Sequence, residues 1–427
     1  MTASTKKSAA MQSGKNLKTK AIFAEGLDPV LIGITLVILF LGLVMVSSAS
    51  ITVADRQISS PFYYLYRQSI AAVLGLFAAF FMLKVRLVHW EKSGMILLGI
   101  SFILLLLVLV PGIGKTVNGS TRWIPVGLFN LQVSEIVKLL LMIYVAGYLV
   151  RHGDEVRSSL WGFIKPMIMI GAACVFLLLE PDFGASVVIM LTALGMMYLG
   201  GVRFVQFLAF ISLFAVTAAL LVVSSPYRLQ RLTTFVDPWS DPFDSGFQLT
   251  QSLIAIGSGG WSGTGLGGSV QKLFYLPEAH TDFVFAIMAE EFGLIGVLTV
   301  ISLFAALFLR AFMIARQAED QGNLFSAYLA YGIGIWLGLQ AFINIGVNMG
   351  VLPTKGLTLP LMSYGGSSLI VSCAAIGLLL RIAYENRTGQ AISKNSRKLS
   401  RKTGGKKTST KKQSRTESLR DLFREAA

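Results

Sequence analysis

Long apolar runs recur along nearly the whole chain, and no block long enough for a soluble domain separates them. They lie at about 29–50, 66–84, 94–111, 131–149, 162–180, 183–201, 204–224, 284–315, 325–350 and 364–384. Most are close to the roughly 20 residues that a helix needs to cross about 30 Å of hydrocarbon. With 54% hydrophobic and 14% charged residues, the 427-residue chain has too little polar surface for a soluble globule. The sequence therefore predicts an all-α, polytopic integral membrane protein of about ten transmembrane helices.

Positive charge at the two ends of the chain orients the predicted bundle. Five lysines lie in the arm at 1–28, and Lys and Arg recur through the tail at 386–427. Short cytoplasmic segments of membrane proteins collect Lys and Arg, so both ends are predicted to be cytoplasmic, which requires an even number of spans. In this orientation 29–385 is one transmembrane domain, with a large extracytoplasmic loop, about 225–282, between the seventh and eighth spans.

These two ends also carry most of the formal net charge of +15, so the membrane domain itself is almost neutral. A nucleic-acid partner is therefore not predicted. The tail, rich in Ser, Thr and Lys, is typical of a disordered segment attracted to anionic membrane lipids, and a tail that docks on a partner protein is the alternative. The first apolar run is longer than the core of a signal peptide and is predicted to be a retained span.

One acidic residue, Asp282, lies where the long polar loop meets an apolar run, in the segment LPEAHTDFVFAIMAEEFG at 276–293. A carboxylate at that boundary contacts both water and the membrane, where chemistry on a lipid-linked substrate would take place. Ionisable groups are costly in such a place, so they indicate a function or a partner. Asp282 is the candidate general base. His280 is an alternative base, although a role in orienting the loop or contacting substrate is favoured.

Two further groups of charges have both a structural and a functional interpretation. Glu135 and Lys138 are three residues apart on one predicted helical face and can neutralise each other. Alternatively they border a polar cavity in which Lys138 meets an anionic substrate group. Asp182 lies in a turn between two spans, where it either caps the next helix or contacts substrate.

Six cations lie on the predicted outer face, against the charge bias that orients the rest of the chain. They are Lys115, Arg122, Arg228, Arg231, Lys272 and Lys355. Pairing with the loop acids between 237 and 278 is one explanation, and a site for phosphate or pyrophosphate is the other. The GTGLGG run at 263–268 matches a dinucleotide-binding pattern, but no predicted strand precedes it, so a nucleotide site is not expected.

Several long motifs in one order make the chain resemble the SEDS family. They are NGSTRWIPVGLFNLQVSEIVKLLL, LEPDFG, YRLQRLTTFVDPWSDPFDSGFQLTQSLIAIGSGG, LPEAHTDFVFAIMAEEFG and LPTKGLTLPLMSYGGSS, and the resemblance covers about 30–385. The last motif is similar to the branch of the family associated with cell division rather than with elongation. The resemblance implies a peptidoglycan glycosyltransferase that polymerises lipid II at the outer face of the cytoplasmic (inner) membrane, at the division septum.

The resemblance also implies partners and site residues. A class B penicillin-binding protein, an FtsI-like transpeptidase, would cross-link the glycan strands, alongside other divisome proteins. The catalytic acid of the family lies in an HTDF motif, which makes Asp282 catalytic here. Position 180 is often Gln in the family, so no catalytic role is expected for Glu180. The substrate-binding candidates are Arg122, Glu135, Lys138, Asp182, Arg228, Arg231, Gln248, Gln251, Lys272, Glu278, His280, Thr281, Lys355 and Ser363.

The residues predict no resident metal site and establish no cofactor, although a divalent cation such as Mg²⁺ or Mn²⁺ could stabilise a leaving pyrophosphate. Three other functions stay open: a lipid II flippase or transporter, the elongation-associated polymerase, and a scaffold that recruits a penicillin-binding protein. The large outer loop that leads to Asp282 favours the enzyme, because a transporter would concentrate its charges near the midplane of the membrane.

Overall fold

A computed structural model of the chain describes residues 26–389, apart from 118–119, 128 and 354–355. The side chains of residues 117, 126, 129, 227 and 228 are not described. Nearly all of the predicted arm at 1–28 and of the predicted tail at 386–427 lies outside these residues, and so do the disorder and the lipid contact predicted for the tail. Residues 28–382 form one compact unit, while 26–27 and 383–389 belong to a second one, in which Arg387 donates to the Leu27 carbonyl oxygen.

The described chain is helical throughout except for one small sheet and the connecting turns. In chain order the helices are α1 (Pro29–Ile58), α2 (Tyr63–Lys84), α3 (Leu87–Leu109), α4 (Val133–Arg151), α5 (Gly153–Ser158), α6 (Leu160–Leu179), α7 (Phe183–Leu199), α8 (Phe204–Val223), α9 (Pro226–Val236), α10 (Phe247–Ser258), α11 (Val284–Asp320), α12 (Leu324–Asn348) and α13 (Gly366–Gly389). Among the described helices, nine are long and apolar enough to cross a membrane, and α7 is a shorter apolar helix. Each predicted span coincides with one of these ten, which confirms the all-α membrane fold.

Helix α1 begins at the predicted residue because Asp28 caps it. The Asp28 Oδ1 accepts from the backbone N–H groups of Val30 and Leu31, both at 3.1 Å, and Pro29 occupies the first helical position. The helix continues past the predicted end near residue 50 and stops at Ile58, where Ser59 takes a left-handed conformation with φ of 53°. Hydropathy marks where a span leaves hydrocarbon, whereas the helix itself extends eight residues further.

Helix α11 is broken near its start, which explains why the apolar run at 284–315 is longer than one span needs. Gly293 has φ 63° and ψ −160°, a conformation that a residue with a side chain rarely adopts. The glycine-rich loop predicted not to bind nucleotide packs there, and the N–H of Gly265 donates to the Glu291 carbonyl oxygen at 3.1 Å. A Cβ on Gly293 would lie 2.4 Å from the Gly263 nitrogen, so only glycine admits the loop.

The exception to the helical fold is a three-stranded antiparallel sheet between α3 and α4. Its strands are β1 (Lys115–Val117), β2 (Ser120–Val126) and β3 (Phe129–Gln132), in the order β1-β2-β3. Trp123 of β2 pairs with Gln132 of β3, directly before α4 begins. The predicted outer loop at about 225–282 likewise contains structure, namely α9 and α10.

These ten apolar helices differ in how much of their surface the bundle covers. Helix α4 lies inside it, with almost every side chain of its apolar stretch buried, whereas α8 has no buried residue. Large apolar side chains on α8 and on other helices, such as Val205, Phe40 and Phe77, are exposed. Such exposure is expected where a helix faces lipid hydrocarbon instead of water.

Candidate functional site

A cavity of about 980 Å³ lies where the sheet, the turn between α6 and α7, helix α9 and the segment before α11 meet. The segment at 356–368 closes another side of it. Eight of the predicted site residues line this one cavity. They are Arg122, Glu135, Asp182, Arg231, Gln248, Glu278, Thr281 and Asp282.

Asp282 occupies the cavity wall two residues before α11 begins. Its carboxylate lies against the backbone of Gly356, so close that a Cβ there would be 3.0 Å from Asp282 Oδ2. Burial and the neighbouring charge of Glu278 raise the Asp282 pKa to about 7, and the charges of Arg122 and Arg231 act in the opposite direction. A carboxyl group with this pKa can take up a proton near neutral pH, which is the property of a general base.

Arg122 brings positive charge to the same cavity from strand β2. Its guanidinium donates to the carbonyl oxygens of Glu180 and Pro181 and to Ser120 Oγ. Among the described residues, no carboxylate oxygen lies within ion-pair distance of it. Backbone carbonyls therefore fix the direction of the Arg122 side chain without neutralising its charge.

The cavity contains a cation that the sequence did not single out, Arg67 of α2. Its guanidinium lies 5.1 Å from the centre of the Tyr63 ring, and Tyr364 lines the same cavity. A cation close to the outer end of a predicted span, in the run YYLYRQ, was the available signal. The sequence alone does not set Arg67 apart, because this residue falls inside an apolar run.

The Glu135 and Lys138 pair forms as its spacing predicts, and the two residues have different positions. Lys138 is fully buried and donates to Glu135 Oε1 at 2.8 Å and to Gln340 Oε1 at 2.7 Å. Glu135 lies between Lys138 and the cavity, and its Oε2 has no hydrogen-bond partner. The ion pair is thus structural on the Lys138 side and borders the cavity on the Glu135 side.

Asp182 caps α7 and lines the cavity at the same time. Its Oδ1 accepts from the Ala185 backbone N–H at 3.1 Å, and its Oδ2 accepts from Ser134 Oγ at 2.9 Å. The capping interpretation is confirmed. A contact with substrate would have to be made by the same carboxylate.

Glu180 is buried two residues earlier, and neither oxygen of its carboxyl group has a hydrogen-bond partner. Burial and the charge of Asp182 raise its pKa to about 8, against the opposing charge of Arg122. The folded protein therefore holds Glu180 as a neutral acid at pH 7, a state that glutamine resembles in shape and charge.

We expect Glu180→Gln to leave activity unchanged and to alter how stability depends on pH. An unfolded Glu ionises near pH 4.5, whereas the folded Glu180 does so near pH 8, so wild-type stability from this group is present at low pH and is lost between these values. The variant lacks this loss. Thermal unfolding should show equal melting temperatures at pH 4, and at pH 8 the variant should melt several degrees higher; equal melting at pH 8 would contradict the assignment.

Other predicted residues lie near the cavity without lining it. His280 lies between two tyrosine rings, 4.5 Å from that of Tyr64 and 5.5 Å from that of Tyr364, and burial lowers its pKa. Ser363 accepts from the Leu359 backbone N–H at 2.9 Å. These contacts favour a role for both in fixing the loops. Gln251 is half-buried on α10, outside the lining.

Lys272 has a different partner from those that its position predicts. Its Nζ forms a buried ion pair with Glu291 at 2.9 Å and donates to Ser48 Oγ at 3.1 Å. Pairing with the loop acids is therefore wrong for Lys272, because the chain brings α11 closer to it than those acids. The Arg228 side chain and the whole of Lys355 lie outside the described part of the structure.

The described side chains do not form a metal centre of the chain's own. Within the described ranges, no three His, Cys, Asp or Glu side chains converge as a metal centre would require. The two carboxylates of Asp282 and Glu278 alone do not form one. The divalent cation of the sequence analysis stays a prediction, and the chain's own cations are the groups available to stabilise negative charge.

Comparison with known proteins places the chain in a family. The model of the FtsW, RodA and SpoVE proteins, described as "Cell cycle protein", matches residues 29–388. A relative from Thioalkalivibrio sulfidiphilus, named "Probable peptidoglycan glycosyltransferase FtsW", is 55% identical over 93% of this chain and 98% of its own. One from Nitrosococcus halophilus with the same name is 56% identical over 84% of this chain and 93% of its own.

Solved structures agree with these sequence matches. A chain in a structure described as "Structural coordination of polymerization and crosslinking by a peptidoglycan synthase complex" is 32% identical, with a TM-score of 0.69 over 84% of this chain and 98% of that one. The rod shape determining protein RodA of Thermus thermophilus is 31% identical, with a TM-score of 0.63 over 84% and 97%. The chain therefore belongs to the FtsW, RodA and SpoVE family, the SEDS family that its motifs indicate.

Proposed function

We propose that this protein is a peptidoglycan glycosyltransferase that polymerises lipid II at the outer face of the cytoplasmic membrane during septal cell-wall synthesis. The observation that carries the proposal is the position of the Asp282 carboxylate, which shares one cavity with arginine side chains. The relatives named as peptidoglycan glycosyltransferases support the reaction type. The similarity of the motif LPTKGLTLPLMSYGGSS to the division-associated branch of the family supports the septum as the location.

The proposed reaction joins two lipid-linked sugars. The 4-hydroxyl oxygen of an acceptor GlcNAc forms a bond to the anomeric carbon of a donor MurNAc, and the bond from that carbon to the pyrophosphate oxygen breaks. Asp282 takes the proton of the attacking hydroxyl, so its carboxylate must be ionised at the start. Undecaprenyl pyrophosphate leaves with the electron pair of the broken bond.

The arginines supply what the leaving group needs. Negative charge grows on the pyrophosphate as the bond breaks, and fixed positive groups in a partly enclosed site stabilise it better than water does. Arg122 is directed by backbone carbonyls, and Arg67 and Arg231 line other parts of the cavity. Guanidinium groups also match phosphate oxygens geometrically.

The proposal includes the predicted partners and surroundings. One structural neighbour comes from a complex described as coordinating polymerisation and crosslinking. By analogy, a class B penicillin-binding protein would cross-link the strands made here, together with other divisome proteins. The ten apolar helices place the protein in the membrane, where lipids contact their exposed apolar side chains.

A polymerisation assay separates this function from transport of lipid II. The purified full-length chain, with its penicillin-binding partner and a β-lactam to block cross-linking, receives fluorescent lipid II in detergent, where no bilayer has to be crossed. We expect a ladder of uncross-linked glycan on a gel. No polymer, together with movement of lipid II across liposome membranes, would support a flippase and overturn the proposal.

A further inference from the structure

Three buried amide side chains lie on one face of α12, at Gln340, Asn344 and Asn348. Each is at most 1% exposed. Their spacing of four residues places them on neighbouring turns of the helix, and this set is named the amide ladder. Buried amides are costly unless they are hydrogen-bonded, so the bonds that they make show what the ladder holds.

Asn348 replaces a hydrogen bond at the start of α11. Its Nδ2 donates to the Asp282 carbonyl oxygen at 3.0 Å, and its Oδ1 accepts from the Ala286 backbone N–H at 3.1 Å. In a regular helix these two backbone groups would bond each other, since they are four residues apart. The Asn348 amide instead bridges them, while the Ala286 N–H also donates to the Phe283 carbonyl oxygen at 3.0 Å. The bridge holds the peptide group that follows Asp282.

Asn344 connects Asp282 to the opposite segment. Its Nδ2 donates to the Asp282 carbonyl oxygen at 2.8 Å and to the Leu357 carbonyl oxygen at 2.6 Å. The neighbour of Leu357 is Gly356, whose backbone borders the Asp282 carboxylate. The Asn344 amide therefore sets the distance between that carboxylate and the backbone beside it.

Gln340 extends the ladder to the other side of the cavity. Its Nε2 donates to the Thr358 carbonyl oxygen at 3.0 Å, and its Oε1 accepts from Lys138 Nζ and from Trp336 Nε1. Because Lys138 also binds Glu135, one continuous set of bonds joins the Asp282 segment to the wall that contains Glu135.

We propose that the amide ladder positions the Asp282 carboxylate for proton transfer. No ladder side chain lines the cavity, so none touches substrate, and all three act through the backbone that they bind. The direction of the Cα–Cβ bond of Asp282 depends on that backbone. Asn344 Oδ1 is buried without a hydrogen-bond partner, which lowers the stability of the fold. Such a cost is consistent with a side chain whose task is to hold the backbone at Asp282. The inference rests on the proposed role of Asp282.

The test is steady-state polymerisation of fluorescent lipid II by the full-length chain with its penicillin-binding partner. In Asn344→Leu and Asn348→Leu the bonds to Asp282 are lost while shape is roughly kept. A reacting group displaced by about 1 Å costs on the order of 100-fold in rate. We therefore expect kcat to fall by about 10- to 100-fold while KM changes by less than about threefold.

Two further variants keep the result interpretable. Asn348→Ser has a hydroxyl too short to bridge both backbone groups, so it should lower kcat by a smaller factor even if the leucine variants do not fold. Thr192→Val removes a buried hydrogen bond to the Val188 carbonyl oxygen, between two residues that do not line the cavity, and controls for general destabilisation. Its kcat should equal that of the wild type at matched loss of melting temperature.

The outcomes separate the ladder from the proposed function. If Asp282→Asn is inactive and the folded Asn348→Ser has wild-type kcat, the ladder has no positioning role. A higher KM with unchanged kcat in the folded ladder variants would also overturn it. If Asp282→Asn itself polymerises lipid II normally, the proposed role of Asp282 is wrong, and the ladder proposal fails with it.

Discussion

Asp282→Asn is expected to lower the rate of lipid II polymerisation by about 10²- to 10⁴-fold, the usual contribution of a general base. Asparagine has nearly the same shape, so the contact with Gly356 should persist, but its amide cannot accept the hydroxyl proton. The measurement is the initial rate of glycan formation by purified protein with its penicillin-binding partner. Because the raised pKa of Asp282 costs the wild type stability near neutral pH, the variant should melt at the same temperature or higher, which would show that chemistry, and not folding, is lost.

Asp237→Asn is the matched control for this variant. Asp237 is exposed at the end of α9 and does not line the cavity, so its amide variant should polymerise lipid II at the wild-type rate. Undiminished polymer from Asp282→Asn would remove Asp282 from the mechanism. It would also leave His280 as the alternative base named by the sequence.

The pH dependence of the wild type tests the same assignment. Because the Asp282 pKa is raised to about 7 and the base acts when ionised, kcat/KM should rise with pH and level off above about 7. The charge of Glu278 raises that pKa while Arg122 and Arg231 lower it, so Glu278→Gln should move the rise to lower pH. A profile that is flat from pH 5 to 8 would contradict Asp282 as base.

Hydropathy and helix capping predict most of the fold. They do not predict the interruption of α11 or the small sheet between α3 and α4. An apolar run identifies a span whatever its backbone does, so the interruption of α11 at Gly293 is invisible until the loop that fills it is placed. The sheet before α4 lies between two predicted spans, where the sequence predicts no strands, and each of its strands is short. Neither feature leaves a periodic pattern long enough to detect.

The sequence predicts part of the candidate site, because a charged residue at a position where charge is energetically costly indicates a function or a partner. Charges that violate the expected distribution, such as Asp282 and Arg122, do meet in one cavity. Lys272 also departs from the expected distribution, yet the neighbouring carboxylate of Glu291 neutralises its charge. Only the fold distinguishes a charge compensated by a neighbour from one left for a ligand. Arg67 is the opposite case: it lines the cavity, but its position inside an apolar run gives no sign of this in the sequence.

The amide ladder has a partial signature in the sequence. Gln340, Asn344 and Asn348 recur every four residues in an otherwise apolar span, and each amide there needs a partner. Their carbonyl partners are backbone groups, which no residue type reveals. Spacing thus predicts that a polar face exists on α12, while the segment that it binds has to be read from the structure.

Lys138→Met is expected to reduce the free energy of unfolding by about 3–5 kcal/mol, the usual cost of removing one partner of a buried ion pair. The Glu135 carboxylate would remain buried without its cation, and its Oε2 already lacks a partner. Gln340 Oε1 would keep the bond from Trp336. Thermal unfolding in detergent measures the loss, and a variant as stable as the wild type would contradict the pairing.

Adding Glu135→Gln to Lys138→Met separates the two interpretations that the sequence left open. The double variant buries no unpaired charge, so it should recover most of the lost stability. If Lys138 is structural, polymerisation should recover as well, because Lys138 lies behind Glu135 and does not line the cavity. A double variant that is stable but needs far more lipid II for half-maximal rate would show instead that the pair binds the substrate.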